Sequence, residues 1–465
     1  MMDLERLVAA LGALEVVGRA PVEVRDLAYD ARTVTPGAVF FCVPGMQADG
    51  HEFAGAAVAR GAVALVVERP LAFAVPQIVV PDARAAMAVA ADEFFERPTE
   101  QLAVVGVTGT SGKTTTSFLL FAILAAAGRR PGLLGTVEAR VGGERRGVRR
   151  TTPEAIELQR LFREMLDVGD RSCAMEASSH ASELHRLDRV RFAALVFTNL
   201  SQDHLDFHGD METYFQAKRR LFLERGPRAA VNVSDPYGRR LSEELPDALT
   251  FGLAADAEIG PHALDGIDVK LRGRFNVENA LGALAAGRLL GIDDDAIARG
   301  IESVRGVPGR FESVDEGQPF AVIVDYAHKP GALENVLRAA RDLARGGRVI
   351  CVVGAGGDRD RGKRPMMGRL ASELADVTIV TSDNPRSEDP QMIIDEIVAG
   401  VVGEVDVEPD RMSAISRAIE LARDGDVVLI AGKGAEQGQQ LADRMIPFDD
   451  REAARDALRT LGART

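Results

Sequence analysis

The segment Ala103–Leu120, AVVGVTGTSGKTTTSFLL, constrains the fold more than any other stretch of the chain. Its apolar run over Leu102–Val107 reads as a buried strand, Gly109–Gly112 as a glycine-dependent loop, and the residues from about Thr114 as a helix. A strand, a glycine loop and a helix in that order make an anion site. Successive backbone N–H groups and the positive end of the helix face one place, where phosphate oxygens fit. Lys113 is positioned to reach terminal phosphates, and the Thr114 hydroxyl to ligate Mg²⁺. The common phosphate loop has glycine where this chain has Val107; here the glycines fall at Gly106 and Gly109.

The rest of the chain repeats the alternation of apolar strands and alanine-rich helices that builds α/β domains. The runs Ala62–Val67 and Gln77–Val80 predict small α/β units before residue 98, and Pro98-Thr99-Glu100 predicts a linker. Ala193–Phe197, Ala229–Val233 and a helix over Asn276–Gly291 complete a doubly wound central domain. After a break at Arg305–Glu312, strands at Val322–Val324, Val349–Val353, Val377–Val380 and Val427–Ile430 predict another open, mostly parallel sheet. The expected architecture is α/β with three domains: residues 1–98, a central phosphate-loop domain over 99–306, and a Rossmann-like domain over 307–465. The arginine-rich GGERRGVRR (142–150) reads as an exposed hairpin.

Composition narrows the partners. With 46% hydrophobic and 27% charged residues the chain is an ordinary globular one, and 465 residues exceed a single core. A formal charge of −14 argues against nucleic acid or an anionic membrane, while leaving room for local basic pockets that hold small anions. Cys42, Cys173 and Cys351 lack metal-ligand spacing and suit a reducing compartment. Neither a signal peptide nor a membrane-spanning stretch is legible, so a cytoplasmic, monomeric protein is expected.

The loop TGTSGKTTT resembles that of the Mur ligase family, and the resemblance continues in order along the chain. It includes MEASSHA (Met175–Ala181), FTNLSQDHLDFHG (Phe197–Gly209), AKRRLF (Ala217–Phe222), FNVENALGA (Phe275–Ala283), VDYAHKPGALE (Val324–Glu334) and DNPR (Asp383–Arg386). It implies an ATP-dependent amide ligase that activates a carboxylate as an acyl phosphate. ATP would be held by Gly109, Thr110, Ser111, Gly112, Lys113, Thr114 and Thr115, with Asn276, Asn279, Arg310 and Asp325 around it. Lys113, Glu176, His204 and Lys218 would be catalytic. Thr114, Glu176, His204 and Lys218 as a carbamate would hold Mg²⁺, which offsets repulsion between phosphate and carboxylate. By itself, Lys218 in a helix reads as a solvated residue, and His204 as a capping or core histidine.

The resemblance also implies the substrates. Tyr29–Phe53 is similar to a UDP-sugar segment, with Tyr29, Ala31, Met46, Gln47 and Ala48 as contacts; Ala31 replaces a serine and removes one hydroxyl. Thr151, Thr152, Ser178 and Arg186 would meet the growing peptide, with Arg150 and Leu184 departing from some relatives. GAGGDRDRGKRP and DNPR resemble the branch that adds meso-diaminopimelate to UDP-N-acetylmuramoyl-L-alanyl-D-glutamate. Arg359, Asp383, Asn384, Pro385, Arg386, Gly432 and Glu436 would surround that amino acid, with Ala435 where relatives carry histidine. An arginine fork suits the distal carboxylate that lysine lacks. The alternatives are the same ligase adding L-lysine or a similar amino acid, another Mur or folylpolyglutamate-type ligase, and a nucleotide-binding regulator without catalysis.

Overall fold

All five residues of Val349–Val353 are buried, as expected of a parallel strand covered on both faces. Such runs gather into three large sheets in the computed structural model, which describes residues 2–18, 22–45, 48–224 and 226–462. Their strands are numbered here along the chain. The first sheet holds β1 (Glu15–Val17), β2 (Asp26–Ala28), β3 (Ala38–Phe41), β4 (Ala64–Val67) and β5 (Gln77–Val79). Its order is β1-β5-β4-β3-β2, with β2 to β5 parallel and β1 antiparallel at the edge.

The second sheet holds β6 (Ala103–Thr108), β7 (Pro131–Leu134), β8 (Ala139–Val141), β9 (Glu144–Arg146), β10 (Ser172–Glu176), β11 (Phe192–Phe197), β12 (Arg228–Asn232) and β13 (Leu249–Phe251). Their order is β9-β8-β7-β10-β6-β11-β12-β13. Strands β7, β10 and β6 run parallel. The third sheet has β14 (Glu312–Val314), β15 (Ala321–Asp325), β16 (Val349–Val353), β17 (Val377–Val380), β18 (Asp406–Val407) and β19 (Val427–Ala431). Its order is β14-β15-β19-β16-β17-β18, parallel except for β14.

By compactness the chain divides into two units. The first is Met1–Thr108, Ala127–Val196 and Ala217–Ala229; the second is Gly109–Ala126, Phe197–Gln216 and Ala230–Thr465.

One local expectation changes and another holds. The linker expected at Pro98–Glu100 is a short 3-10 turn with Pro98 and Thr99 buried, and the Thr99 hydroxyl accepts from Arg191 N–H at 3.2 Å. The predicted hairpin forms from β8 and β9 around Gly142-Gly143, whose φ values of 59° and 86° call for glycine. Its arginines are not all free, however. Arg146 pairs with Glu164 at 2.7 Å, and Arg150 donates to the Tyr29 hydroxyl at 3.3 Å.

Cys42 just after β3, Cys173 in β10 and Cys351 in β16 are buried free thiols, one with each sheet. Burial raises all three, Cys42 and Cys351 to about 12. Among the described residues no helix is long and apolar enough to cross a membrane.

Candidate active site

In the second unit the phosphate loop runs directly into the helix Lys113–Ala126. The Lys113 ammonium donates to the Gly109 and Thr110 carbonyls, both at 2.9 Å, which keeps its charge over the loop. The segment Thr198–Ser201 braces that loop. Thr110 N–H donates to Asn199 O (2.8 Å), Ser111 N–H to Asn199 Oδ1 (2.9 Å), and Thr198 Oγ1 to Ser111 O (2.7 Å). Gly109 and Gly112 take φ of 146° and 88°. A Cβ at Gly109 would overlap Thr198 Oγ1, and one at Gly112 would overlap Asn279 Oδ1. Gly106 has a different purpose, because a Cβ there would strike Leu195 and Phe192 within the sheet. The bracing residues Thr198 and Asn199 escaped sequence reasoning, although they stand inside a segment it had singled out.

Asn276 and Asn279, both expected near nucleotide, are buried on the first turns of the helix Arg274–Leu289. Asn279 donates to Asn276 Oδ1 (3.0 Å) and accepts from the Thr116 hydroxyl (3.3 Å), so it ties this helix to the phosphate-loop helix. Arg310 reaches the same place from the segment before β14. It donates to Thr114 Oγ1 at 3.0 Å and lies over the Tyr326 ring at 4.3 Å. Thr115 is buried on the same helix turn.

Asp325, at the end of β15, accepts the N–H groups of Phe311 (2.6 Å) and Ala327 (2.7 Å) and so fixes the segment that carries Arg310. Burial pushes its carboxyl up to about 6, against the opposing pull of Arg310 and those N–H groups. The folded protein therefore holds this proton more tightly than the unfolded chain. The group's stabilising contribution is complete below about pH 4 and disappears as pH rises through 6, a change on the order of 3 kcal/mol. The thermal midpoint of the wild type should accordingly fall relative to Asp325→Asn between pH 4 and 7; a gap independent of pH would refute the raised value.

A second cluster lies in the same unit. Asp203 sits 2.5 Å from Lys329 Nζ and 2.8 Å from His204 Nε2. Burial alone would raise the Asp203 carboxyl, but Lys329 and His204 together hold it far below the usual range. Burial lowers His204, Lys363 and His328. Asp203, Lys329 and Lys363 were not among the expected site residues. Their signal was available: each belongs to a quoted motif, but a charge in a loop looks solvated until its burial is known. His204 starts the short helix Leu205–His208 at φ 53° without a side-chain capping bond, so the capping reading fails.

The first unit holds the residues expected on the peptide side, with Glu176 and Lys218. Glu176, 1% exposed at the end of β10, accepts from Thr136 N–H (2.7 Å) and its hydroxyl (3.1 Å). Thr151 and Thr136 share a hydroxyl contact of 3.0 Å, and Thr152 Oγ1 donates to Glu176 O at 2.8 Å. The Ser178 N–H donates to Thr152 Oγ1 (3.2 Å), and Arg186 binds Thr152 O (3.2 Å) and Glu154 (2.8 Å). These expected residues therefore share one neighbourhood. Tyr29 donates to Glu157 at 2.8 Å. Ala31 opens a 3-10 turn and Ala48 O accepts from Gly45 N–H, whereas Met46 and Gln47 lie outside the described residues. Lys218 overturns the solvated reading, because it is 1% exposed and among the largest fully buried side chains.

In the second unit, the loops after β17 and β19 bring together most of the residues expected around the acceptor. Asp383 and Asn384 are buried, and Asn384 Nδ2 donates to Glu436 Oε2 at 2.8 Å. A Cβ on Gly432 would overlap Asp383 Oδ2, so glycine there lets the carboxylate approach. Arg386 is half-buried, at φ 52°, and donates to Gly357 O (2.5 Å) and Gln440 Oε1 (3.1 Å). Burial and the nearby Arg359 guanidinium both lower its affinity for its proton. Arg359 is exposed and donates to Asp358 O, and Pro385 is buried in the same turn.

Family models match three successive stretches: "Mur ligase family, catalytic domain" over residues 23–95, "Mur ligase middle domain" over 107–287, and "Mur ligase, glutamate ligase domain" over 309–434. A UDP-N-acetylmuramoyl-L-alanyl-D-glutamate--2,6-diaminopimelate ligase of Solibacter usitatus (strain Ellin6076) is 47% identical over 471 residues, covering 95% of each chain. The chain belongs to the Mur ligase family.

A Geobacillus thermodenitrificans (strain NG80-2) ligase of the same name is 45% identical, covering 98% of this chain and 99% of that one. A solved structure bearing that ligase name is 30% identical with a TM-score of 0.65, covering 96% of each chain. MurF from Acinetobacter baumannii, 21% identical with a TM-score of 0.66 over 92% of this chain and 95% of that one, shares the fold. The three-domain α/β architecture of the Mur ligases is therefore present here, as the sequence led us to expect. Among the described residues no three His, Cys, Asp or Glu side chains gather as a metal site. The residues expected to hold Mg²⁺ are of another kind: Thr114 by its hydroxyl, Lys218 as a carbamate, Glu176 and His204. Carboxylate and hydroxyl oxygens are hard donors, as Mg²⁺ requires.

Proposed function

We propose that this Mur ligase joins meso-diaminopimelate to UDP-N-acetylmuramoyl-L-alanyl-D-glutamate with hydrolysis of ATP to ADP and phosphate. The observation that carries the acceptor assignment is an acidic set, Asp383 and Glu436 around Asn384, on whose loop the guanidinium of Arg386 also lies, within electrostatic reach of both carboxylates. That combination suits a ligand end bearing both an ammonium and a carboxylate. The likeness to ligases named for this reaction supports the same reading.

The D-glutamate side-chain carboxylate attacks the γ-phosphorus of ATP, the bond to the bridging oxygen breaks, and ADP leaves. The amine of the incoming amino acid then attacks the acyl carbon and gives up a proton, and the tetrahedral intermediate expels phosphate. Lys113 and the loop N–H groups bind the phosphates, and Arg310, held by Asp325, adds charge beside Thr114. Thr114, Glu176, His204 and carbamylated Lys218 would hold Mg²⁺, which supplies neutralising charge for the transferring phosphoryl group. Residues 1–98 take the UDP-sugar, 99–306 the ATP and 307–465 the amino acid. All these groups belong to one chain, which we read as a monomer acting on small molecules. The unpaired thiols agree with a cytoplasmic site of action.

Phosphate release tests the reading. Release should require the UDP-dipeptide and meso-diaminopimelate together, and mass spectrometry should find the tripeptide product. Release that is indifferent to the dipeptide would reject it.

A further inference from the structure

Lys433 is fully buried, a rare condition for lysine unless its charge is matched. It follows Gly432 immediately after β19, and its ammonium lies 2.9 Å from Asn384 Oδ1, 3.2 Å from Glu436 Oε2 and 3.8 Å from Asp383 Oδ1. Asn384 Oδ1 also accepts from Gln440 N–H at 2.9 Å. Two donors on that oxygen fix which way the amide faces, so the Asn384 NH₂ must turn to Glu436. Three of the acceptor residues are thus oriented by one ammonium that belongs to none of the roles assigned above.

We infer that Lys433 is the positioning residue of the acceptor pocket. Its charge draws the Asp383 and Glu436 carboxylates around the Asn384 amide, so that together they present a preset receptor for an ammonium group of the incoming diamino acid. The inference rests on the proposed function. A merely structural role would be to hold the two loops in place, but a separate device does that. Arg411 and Asp450, both fully buried, pair at 2.7 Å, and Arg411 donates to Ala431 O (3.1 Å) and Ser382 O (3.4 Å). The backbones leading into Gly432 and Asp383 are therefore pinned without Lys433, whose contacts are with side chains. Unpaired carboxylates close together would repel, and a ligand ammonium would then meet a splayed site.

The test is steady-state kinetics of the full-length protein with Lys433→Met, Lys433→Gln and Lys433→Arg. Each substrate is varied in turn while the others are saturating. In the methionine variant KM for meso-diaminopimelate should rise about 100-fold, while KM for ATP and for the UDP-dipeptide stay within about threefold of wild type. Lys433→Arg, which keeps the charge, should recover most of the loss. Lys433→Gln carries the same expectation as methionine and replaces it if that variant does not fold, as judged by its thermal midpoint. An unchanged meso-diaminopimelate KM, or a parallel rise in all three, would overturn the inference. Failure of the underlying reading shows differently, as a wild type that releases no phosphate in response to meso-diaminopimelate.

Discussion

Lys218→Ala should lower turnover on the order of 10³-fold, with partial recovery when acetate or formate is added. The expectation joins the family resemblance to burial: Lys218 is 1% exposed, enclosed rather than solvated. Carbamylation changes the sign of its charge, since neutral amine and CO₂ give, with release of a proton, a carboxylate that can take part in holding metal and phosphate. Removing such a group would loosen the hold on a metal whose neutralising charge is felt mainly in the transition state, so kcat should suffer more than KM. A short carboxylic acid can enter the space left by the alanine and restore part of that charge. The thermal midpoint of the variant separates this loss from unfolding. A variant turning over at the wild-type rate would end the carbamate proposal.

Selectivity between diaminopimelate and L-lysine should be about 10³-fold in kcat/KM, below the roughly 10⁴ reached when a site is built around a fully buried polar group that the rival lacks. The reason lies in Arg386, which has the Arg359 guanidinium close enough to oppose its charge. Two cations held near each other are relieved by a carboxylate, and L-lysine has none at its distal end. Arg386→Ala should cut kcat/KM for meso-diaminopimelate by about 10²–10³-fold and leave that for L-lysine nearly unchanged. Because Arg386 is only half-buried and already binds Gly357 O and Gln440, lysine would not leave it wholly unsatisfied. That lowers the expected discrimination below what full burial would give. Equal values for the two amino acids would remove the diaminopimelate assignment.

The three sheets were legible because runs rich in β-branched residues, such as Val349–Val353 and Val377–Val380, coincide with largely buried strands, and glycines and prolines stand near their ends. The phosphate loop was legible because its geometry is local. What sequence reading missed depends on contacts between distant positions. Asn199 meets Ser111 across 88 residues, and Lys433 meets Asn384 across 49. Lys218 was misread alone because the helix Met211–Leu223 mixes charged and apolar side chains, and only packing decides which charge is enclosed. The resemblance to the family supplied what local chemistry could not.

The placement of the three cysteines gives the protein an internal set of unfolding reporters. Each sheet shelters a single thiol whose raised proton affinity and burial keep it unreactive while its surroundings stay closed. Alkylation followed by peptide mapping would then time the opening of each sheet separately, with no label introduced. A ligand that steadies only one region should slow modification of that region's cysteine and leave the other two at their former rates.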